Sequence, residues 1–168
     1  MKLVRFNQKP THDTNTLKYI MWYLVSAFFF DTNIPGNKIR IILLKLFSAK
    51  VGKNILIKPN VKIKYPWKLS IGDYSWIGEN VWIDNISNVT IGKNSCISQG
   101  VYICSGSHDF FSRDFSLLMQ EVHVGSNCWV GAKSIISPGS IINDNSFVKF
   151  GSTVIRHKTI KKTAKKII

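Results

Sequence analysis

Residues 71–103 read IGDYSWIGENVWIDNISNVTIGKNSCISQGVYI, with isoleucine at 71, 77, 83, 91, 97 and 103. The same spacing of six runs back through Val51, Ile57 and Ile63. It resumes downstream at Val124, Val130, Ile136, Ile142, Val148 and Val154. Ile and Val make up 35 of the 168 residues, so chance would place them at about three of these fifteen positions; they occupy all fifteen. A period of six cannot hold one stripe on a 3.6-residue helix, but it suits a short strand followed by a corner. Three such units close a triangular coil, giving groups at 51–68, 71–88, 91–108, 124–141 and 142–159, with two-residue insertions at 69–70 and 89–90. Coils stack at the strand spacing of ~4.8 Å, with the aliphatic side chains turned inward in columns. One coil cannot bury its own face, so several must stack.

The residues around each Ile or Val support the same reading. Glycine follows directly at 52, 72, 78, 92, 125 and 131, six of the eleven glycines, as expected where a corner needs an unusual φ or a close approach of backbones. Four places after the aliphatic residue stands a small or β-branched one, such as Ser75, Val81, Ser95, Val101, Cys128, Ser134 and Ser140. The predicted fold is an all-β solenoid, a parallel β-helix of about five 18-residue coils over 51–159.

Residues 1–50 and 160–168 lie outside the repeat. LKYIMWYLVSAFFF (17–30) and the stretch through KIRIILLKLF read as two short helices split by Pro35-Gly36. The favoured role is a cap that covers the open end of the solenoid with aromatic side chains. The alternative is a patch lying in a membrane interface, with Lys38, Arg40, Lys45 and Lys50 on its polar side. The tail places Ile160, Ala164 and Ile167 at helical spacing among four lysines, a solvated terminus or a contact for an anionic surface.

The formal net charge of +14 sits mostly at the ends: 1–50 carry eight basic and two acidic residues, and the last nine residues add four lysines and no acid. Charge alone does not make a nucleic-acid binder, and no zinc spacing, base-reading helix or RNP pattern accompanies it. With 45% hydrophobic and 19% charged residues the chain has a real core. No apolar run reaches the ~20 residues needed to span a bilayer. Cys96, Cys104 and Cys128 form no CxxC pair and cannot all be disulfide-bonded, which fits a reducing, cytoplasmic location, with peripheral contact at the inner membrane face as the refinement.

The period breaks between Ile103 and Val124, where the chain makes an excursion near 104–123 that begins CSGSHDFFSRDF. Long loops on rigid solenoids carry function. His108 stands where the chain leaves the coil, and imidazole titrates near neutral pH, so it is the candidate general base. Asp109 reads either as the partner that orients the imidazole or as a turn-initiating residue, and Asp84 is a second candidate orienter.

Three stretches, IKPNVKIKYPWKLSIGDYSWIGENVWIDNISNVTIG, ISQGVYICSGSHDF and VGSNCWVGAKSIISPGS, resemble the hexapeptide-repeat, left-handed β-helix proteins. Within them the resemblance narrows to sugar O-acetyltransferases of the colanic-acid-biosynthesis type. The left hand is implied by this resemblance, since the usual crossover rule favours the right. The resemblance also implies an acetyl-CoA-dependent O-acetyltransferase acting on a saccharide in bacterial surface polysaccharide assembly. Such enzymes work as homotrimers, with acetyl-CoA in a cleft between neighbouring β-helices and no metal. It places the catalytic base at His108 and acceptor-binding polar residues at Asp84 and Asn85, and Trp82 is offered as a sugar platform. Trp129, Gly131 and Ala132 fall where the family meets the pantetheine arm, Phe150 beside it, and Ile155 and Arg156 near the CoA phosphates. Phe150 departs from the small residue usual there.

Two other functions are compatible with such a solenoid. A γ-type carbonic anhydrase needs three histidines around zinc, and only His108 and His123 lie in the right region. A non-catalytic or decayed β-helix scaffold is the remaining alternative, because a fold does not dictate a function. Acetyl-CoA binding separates it from the enzyme.

Overall fold

A computed structural model of the protein describes residues 16–109, 111–112 and 114–155. Arg156 and the 160–168 tail, for which roles are expected, lie outside the described residues. Helices α1 (Thr16–Phe29) and α2 (Asn37–Leu46) precede a solenoid of five coils. The first coil is β1 (Lys50–Val51), β2 (Leu56–Ile57) and β3 (Lys62–Ile63); the second is β4 (Leu69–Ile71), β5 (Trp76–Ile77) and β6 (Trp82–Asp84). The third is β7 (Val89–Ile91), β8 (Cys96–Ile97) and β9 (Tyr102–Cys104). A hairpin of β10 (Gly106–His108) and β11 (Leu117–Met119) then leaves the body. The fourth coil is β12 (Val122–Val124), β13 (Trp129–Val130) and β14 (Ile135–Ile136); the fifth is β15 (Ile141–Ile142), β16 (Phe147–Val148) and β17 (Thr153–Val154).

Each coil gives one strand to each of three five-stranded parallel sheets. The register lines up the residues singled out by the period. Val51, Ile71, Ile91, Val124 and Ile142 form the first column. Ile57, Ile77, Ile97, Val130 and Val148 form the second. Ile63, Ile83, Ile103, Ile136 and Val154 form the third. Twelve of the fifteen are buried, and Val51, Val148 and Val154, in the two terminal coils, are half-buried.

The corners explain the glycines. A Cβ on Gly92 would stand 2.5 Å from the carbonyl carbon of Gly125 in the next coil, so close approach, not unusual φ, demands glycine after the inward residue. The left-handed backbone falls two places later, at Asn54, Tyr74, Asn94, Asn127 and Asn145 on one corner and at Asn60, Asn80, Gly100, Lys133 and Gly151 on the next. Asparagine tolerates that conformation better than most residues. The amides of Asn94, Asn127 and Asn145 also join across coils at 3.3 and 3.1 Å.

The two helices close the first coil. Trp22, Phe30, Leu44 and Phe47 belong to the same buried cluster as the inward columns. The Trp22 indole donates to the Ile63 carbonyl at 2.8 Å and packs on the Phe30 and Phe47 rings at 5.1 and 5.2 Å. Asn37 bonds the Ile55 carbonyl and the Ile57 amide at 2.9 and 2.7 Å, occupying backbone groups at the edge of the second sheet. Arg40 corrects one expectation. It does not lie on a polar outer face but is buried, donating to the Phe29 carbonyl at 2.9 Å and to the Ile34 carbonyl. It thereby clasps the turn between the helices, and burial pulls its pKa below the usual guanidinium value.

Two substitutions separate core from surface. Ile97→Ala, at the centre of the second column, is expected to cost ~2–5 kcal/mol in urea denaturation. Trp129→Ala, one residue away from its inward neighbour Val130, is expected to change stability by only about ±0.5 kcal/mol.

Candidate active site

All three departures from the six-residue period fall at one corner, between the third sheet and the first. The first two insertions are accommodated by a 3₁₀ turn at Pro66–Lys68 and by the segment through Asn85 to Ser87. The third is the hairpin. Tyr65, Asn85 and Ser105 each stand two places after an inward isoleucine, and they stack. The Asn85 amide oxygen accepts from the Tyr65 N–H at 3.0 Å and its amide nitrogen donates to the Tyr65 carbonyl at 2.6 Å. Ser105 N donates to the Asp84 carbonyl at 3.1 Å, and its hydroxyl accepts from the Ser87 N–H at 2.8 Å. Gln120 N returns to the Ser105 carbonyl at 2.9 Å, closing the base of the hairpin. Asn85 is therefore fully buried with its amide committed to backbone. The expectation that it meets the acceptor is corrected: it holds the corner from which the hairpin springs.

Strands β10 and β11 pair antiparallel, with Gly106, Ser107 and His108 opposite Met119, Leu118 and Leu117. Beyond them Asp109 N donates to the Ser116 carbonyl at 2.9 Å. The half-buried His108 ring has its Nδ1 2.9 Å from the Phe115 carbonyl oxygen. It also stacks on the Phe115 ring with centroids 4.3 Å apart and planes 7° from parallel. A carbonyl can only accept, so Nδ1 carries the proton and the neutral imidazole has its lone pair on Nε2. The partner that orients Nδ1 is thus a backbone carbonyl and not a carboxylate. The Asp109 carboxylate instead accepts from the Phe111 N–H at 3.0 Å, the turn role that was its alternative reading.

Asp84 is tied up too. One oxygen pairs with the Lys64 ammonium at 2.9 Å and the other accepts from the Tyr102 hydroxyl at 3.1 Å. Burial, then the neighbouring Cys104 and Asp84, push the Tyr102 phenol well above its ordinary pKa, so it stays a donor. Trp82 is exposed on the same face and packs on the Tyr102 ring at 4.8 Å. Lys64, Trp82, Asp84 and Tyr102 make an aromatic and charged strip on the third sheet, on strands that lead to the hairpin corner. Tyr102 and Lys64 were not singled out in the sequence, although each lies 20 residues from Trp82 or Asp84, one coil plus its insertion.

The residues expected at the cofactor lie elsewhere. Trp129 is exposed on the second sheet, its indole donating to Ser98 Oγ at 2.8 Å. It borders an open groove of about 420 Å³ with Lys58, Trp76, Cys96, Ser98 and Gln99. Gly131 and Ala132 lie at the corner between the second and third sheets, and the Phe150 backbone passes over Gly131 so closely that a Cβ there would meet the Phe150 amide nitrogen at 2.5 Å. The Phe150 and Ile155 side chains are exposed. One chain thus carries His108 at one corner and Gly131, Ala132 and Phe150 at another, with the third sheet between them. Among the described residues no cluster of three or more His, Cys, Asp or Glu could hold a metal ion.

Comparison with known proteins puts these observations in a family. Residues 121–156 match the family model described as bacterial transferase hexapeptide (six repeats). The chain is 40% identical over 143 residues, 84% of its length and 79% of the other's, to an Escherichia coli (strain K12) protein named as a colanic acid biosynthesis acetyltransferase, WcaF. It is 30% identical over 117 residues, 68% of this chain and 58% of the other, to the galactoside O-acetyltransferase of the same organism. Among solved structures, a galactoside acetyltransferase in complex with coenzyme A superposes with a TM-score of 0.74 at 25% identity, covering 84% of this chain and 72% of that one. A Vibrio cholerae hexapeptide-repeat acetyltransferase complexed with acetyl coenzyme A superposes with a TM-score of 0.76 at 18% identity, over 83% of this chain and 77% of that one. The likeness gives the solenoid its hand, which is left.

The corner stack is directly testable. Asn85→Ala removes two buried hydrogen bonds to the Tyr65 backbone, while the Tyr65 carbonyl keeps its bond from the Lys68 N–H at 3.0 Å, and is expected to cost ~1–3 kcal/mol. In hydrogen exchange, the Tyr65 and Ser105 amides should lose protection before those of the inward columns.

Proposed function

This chain belongs to the hexapeptide-repeat acetyltransferases, and on that premise we propose that it moves an acetyl group from acetyl-CoA to a saccharide hydroxyl in surface polysaccharide assembly, with His108 as general base. The observation that carries the reading is the bond from His108 Nδ1 to the Phe115 carbonyl, which leaves Nε2 as the basic atom at the edge of a built hairpin.

The chemistry follows from that atom. A sugar hydroxyl is a poor nucleophile near neutral pH, so Nε2 accepts its proton as the oxygen attacks the thioester carbonyl. The new C–O bond forms, the tetrahedral intermediate collapses with cleavage of the C–S bond, and Nε2 passes the proton to the departing thiolate. During this cycle the imidazolium keeps its Nδ1–H bond to Phe115, so the ring need not turn. The oxyanion calls for a fixed hydrogen-bond donor. Transfer is direct, without an acyl-cysteine. Cys104 is engaged with the Gly106 carbonyl at 2.9 Å and Cys128 is buried, while burial raises the Cys96 thiol, away from the thiolate a nucleophile needs.

The separation of His108 from the cofactor-side corner supports assembly of the site between copies. In a homotrimer the hairpin corner of one β-helix faces the Gly131–Phe150 corner of its neighbour, and acetyl-CoA lies between them with Trp129 and Ile155 on its path. The acceptor enters from the strip of Trp82, Tyr102, Asp84 and Lys64, where an aromatic face and polar groups suit a sugar ring. The three cysteines are free thiols, which agrees with a cytoplasmic site of action.

His108→Ala is expected to lower turnover by about 10²–10⁴-fold while acetyl-CoA binding, read by calorimetry, is retained. Loss of binding in parallel with turnover would assign His108 to holding the cofactor instead. Absence of acetyl-CoA binding in the native chain would leave a scaffold.

A further inference from the structure

The outer side of α1 is apolar where a surface helix should be polar. Trp22 and Ser26 are its buried residues, and Lys18 and Val25 on the same stripe are half-buried. The opposite side presents Ile20, Tyr23, Leu24, Ala27 and Phe28, with Tyr23 65%, Leu24 53% and Phe28 68% exposed. Ordinary amphipathic helices put charged residues there. Contiguous exposed apolar surface of this kind marks a site of association. Helix α2 repeats the pattern, exposing Ile39, Ile42 and Leu46 at spacings of three and four, between the exposed Lys38 and Lys45.

Charge selects the occupant. From Thr16 to Lys50 the only acid is Asp31, and Lys38, Lys45 and Lys50 are exposed around the apolar residues. A second copy docked here would bring two identical basic rims together, in a chain of net charge +14. An anionic surface neutralises the rim and receives the aromatic and aliphatic side chains at headgroup level. The 14 residues of α1 reach about 21 Å, short of the ~30 Å hydrocarbon core, and Trp22 pins the helix to the first coil, so it can lie on a bilayer but not cross one. Among the described residues no helix is long and apolar enough to span a membrane.

We infer that the outer face of α1, with its lysine rim, docks the enzyme on an anionic lipid bilayer. The hairpin leaves after the third coil, about two strand spacings or ~10 Å beyond the first. A docked enzyme therefore holds His108 within reach of a saccharide displayed at the membrane surface. This last clause rests on the acetyltransferase reading, whereas docking itself is measured without turnover.

The test is co-sedimentation of the full chain with vesicles of phosphatidylglycerol and phosphatidylcholine, against vesicles of phosphatidylcholine alone. The native chain should sediment with the anionic vesicles, and 0.5 M salt should weaken but not abolish the interaction. The triple variant Tyr23→Ser, Leu24→Ser, Phe28→Ser should lose at least tenfold in bound fraction with an unchanged melting temperature and unchanged acetyl-CoA binding. Phe28→Ser alone provides the same comparison if the triple variant does not fold. Lys38→Glu with Lys45→Glu should remove the preference for anionic vesicles. The inference is overturned if the native chain ignores both kinds of vesicle, or if the serine variants bind as the native chain does, which would mean general electrostatics. It is also overturned if those variants change only the sedimentation velocity of the lipid-free protein, which would mean that a second copy covers the face.

Discussion

Between stacked coils the backbone N–H groups donate to carbonyls one coil away, and that spacing of about one strand governs what can stand at each position. On the third sheet the amides of Lys62, Trp82, Tyr102 and Ile135 donate in turn to carbonyls of the following coils at 2.8–2.9 Å. At the corner before the second sheet the direction reverses, with Tyr74, Asn94, Asn127 and Asn145 donating back to the preceding coil. A ladder this regular leaves no slack between coils. Inward positions accept only side chains that fill a triangular lumen, the residue after them is most often glycine where the backbone of the next coil passes within about 2.5 Å of a Cβ position, and the turn two places later takes whatever tolerates a left-handed backbone.

The site depends on the one corner where the ladder is lengthened. A bulge in a single coil would leave buried polar groups unpaired, and three stacked departures allow each to satisfy the next. Asn85 serves the Tyr65 turn, Ser105 serves the segment before it, and Gln120 returns the chain to the coil. The hairpin thus grows from a rigid base, and the imidazole at its far end is fixed by backbone, not by another ionisable group. A carbonyl partner neither titrates nor competes for the proton that Nε2 exchanges, which suits a base that must be released unprotonated after each cycle.

The solenoid was legible because its constraint acts on every sixth residue, and no other period fits fifteen Ile and Val at those places. The helices were legible from their apolar runs and the Pro35-Gly36 break, with bounds close to those observed. The glycines signalled a corner but not which of two reasons applied, and the asparagines two places further on carried the left-handed turns unnoticed. Arg40 and Asn85 were misplaced for a common reason. A polar residue in a sequence reads as exposed or functional, and only three-dimensional packing shows that its partners are buried carbonyls and amides. His108 stood out by its position at the exit from the coil. Its partner did not, because a main-chain carbonyl seven residues away has no sequence signature.

The central claim is that His108 presents Nε2 as the base because Phe115 holds the proton on Nδ1. Nitrogen-15 NMR of the imidazole in the native chain, at a pH where the ring is neutral, reads this directly. The account predicts a protonated Nδ1 and a bare, pyridine-like Nε2. A ring protonated at Nε2 would contradict it, and would leave the hairpin without the atom on which the proposed transfer turns.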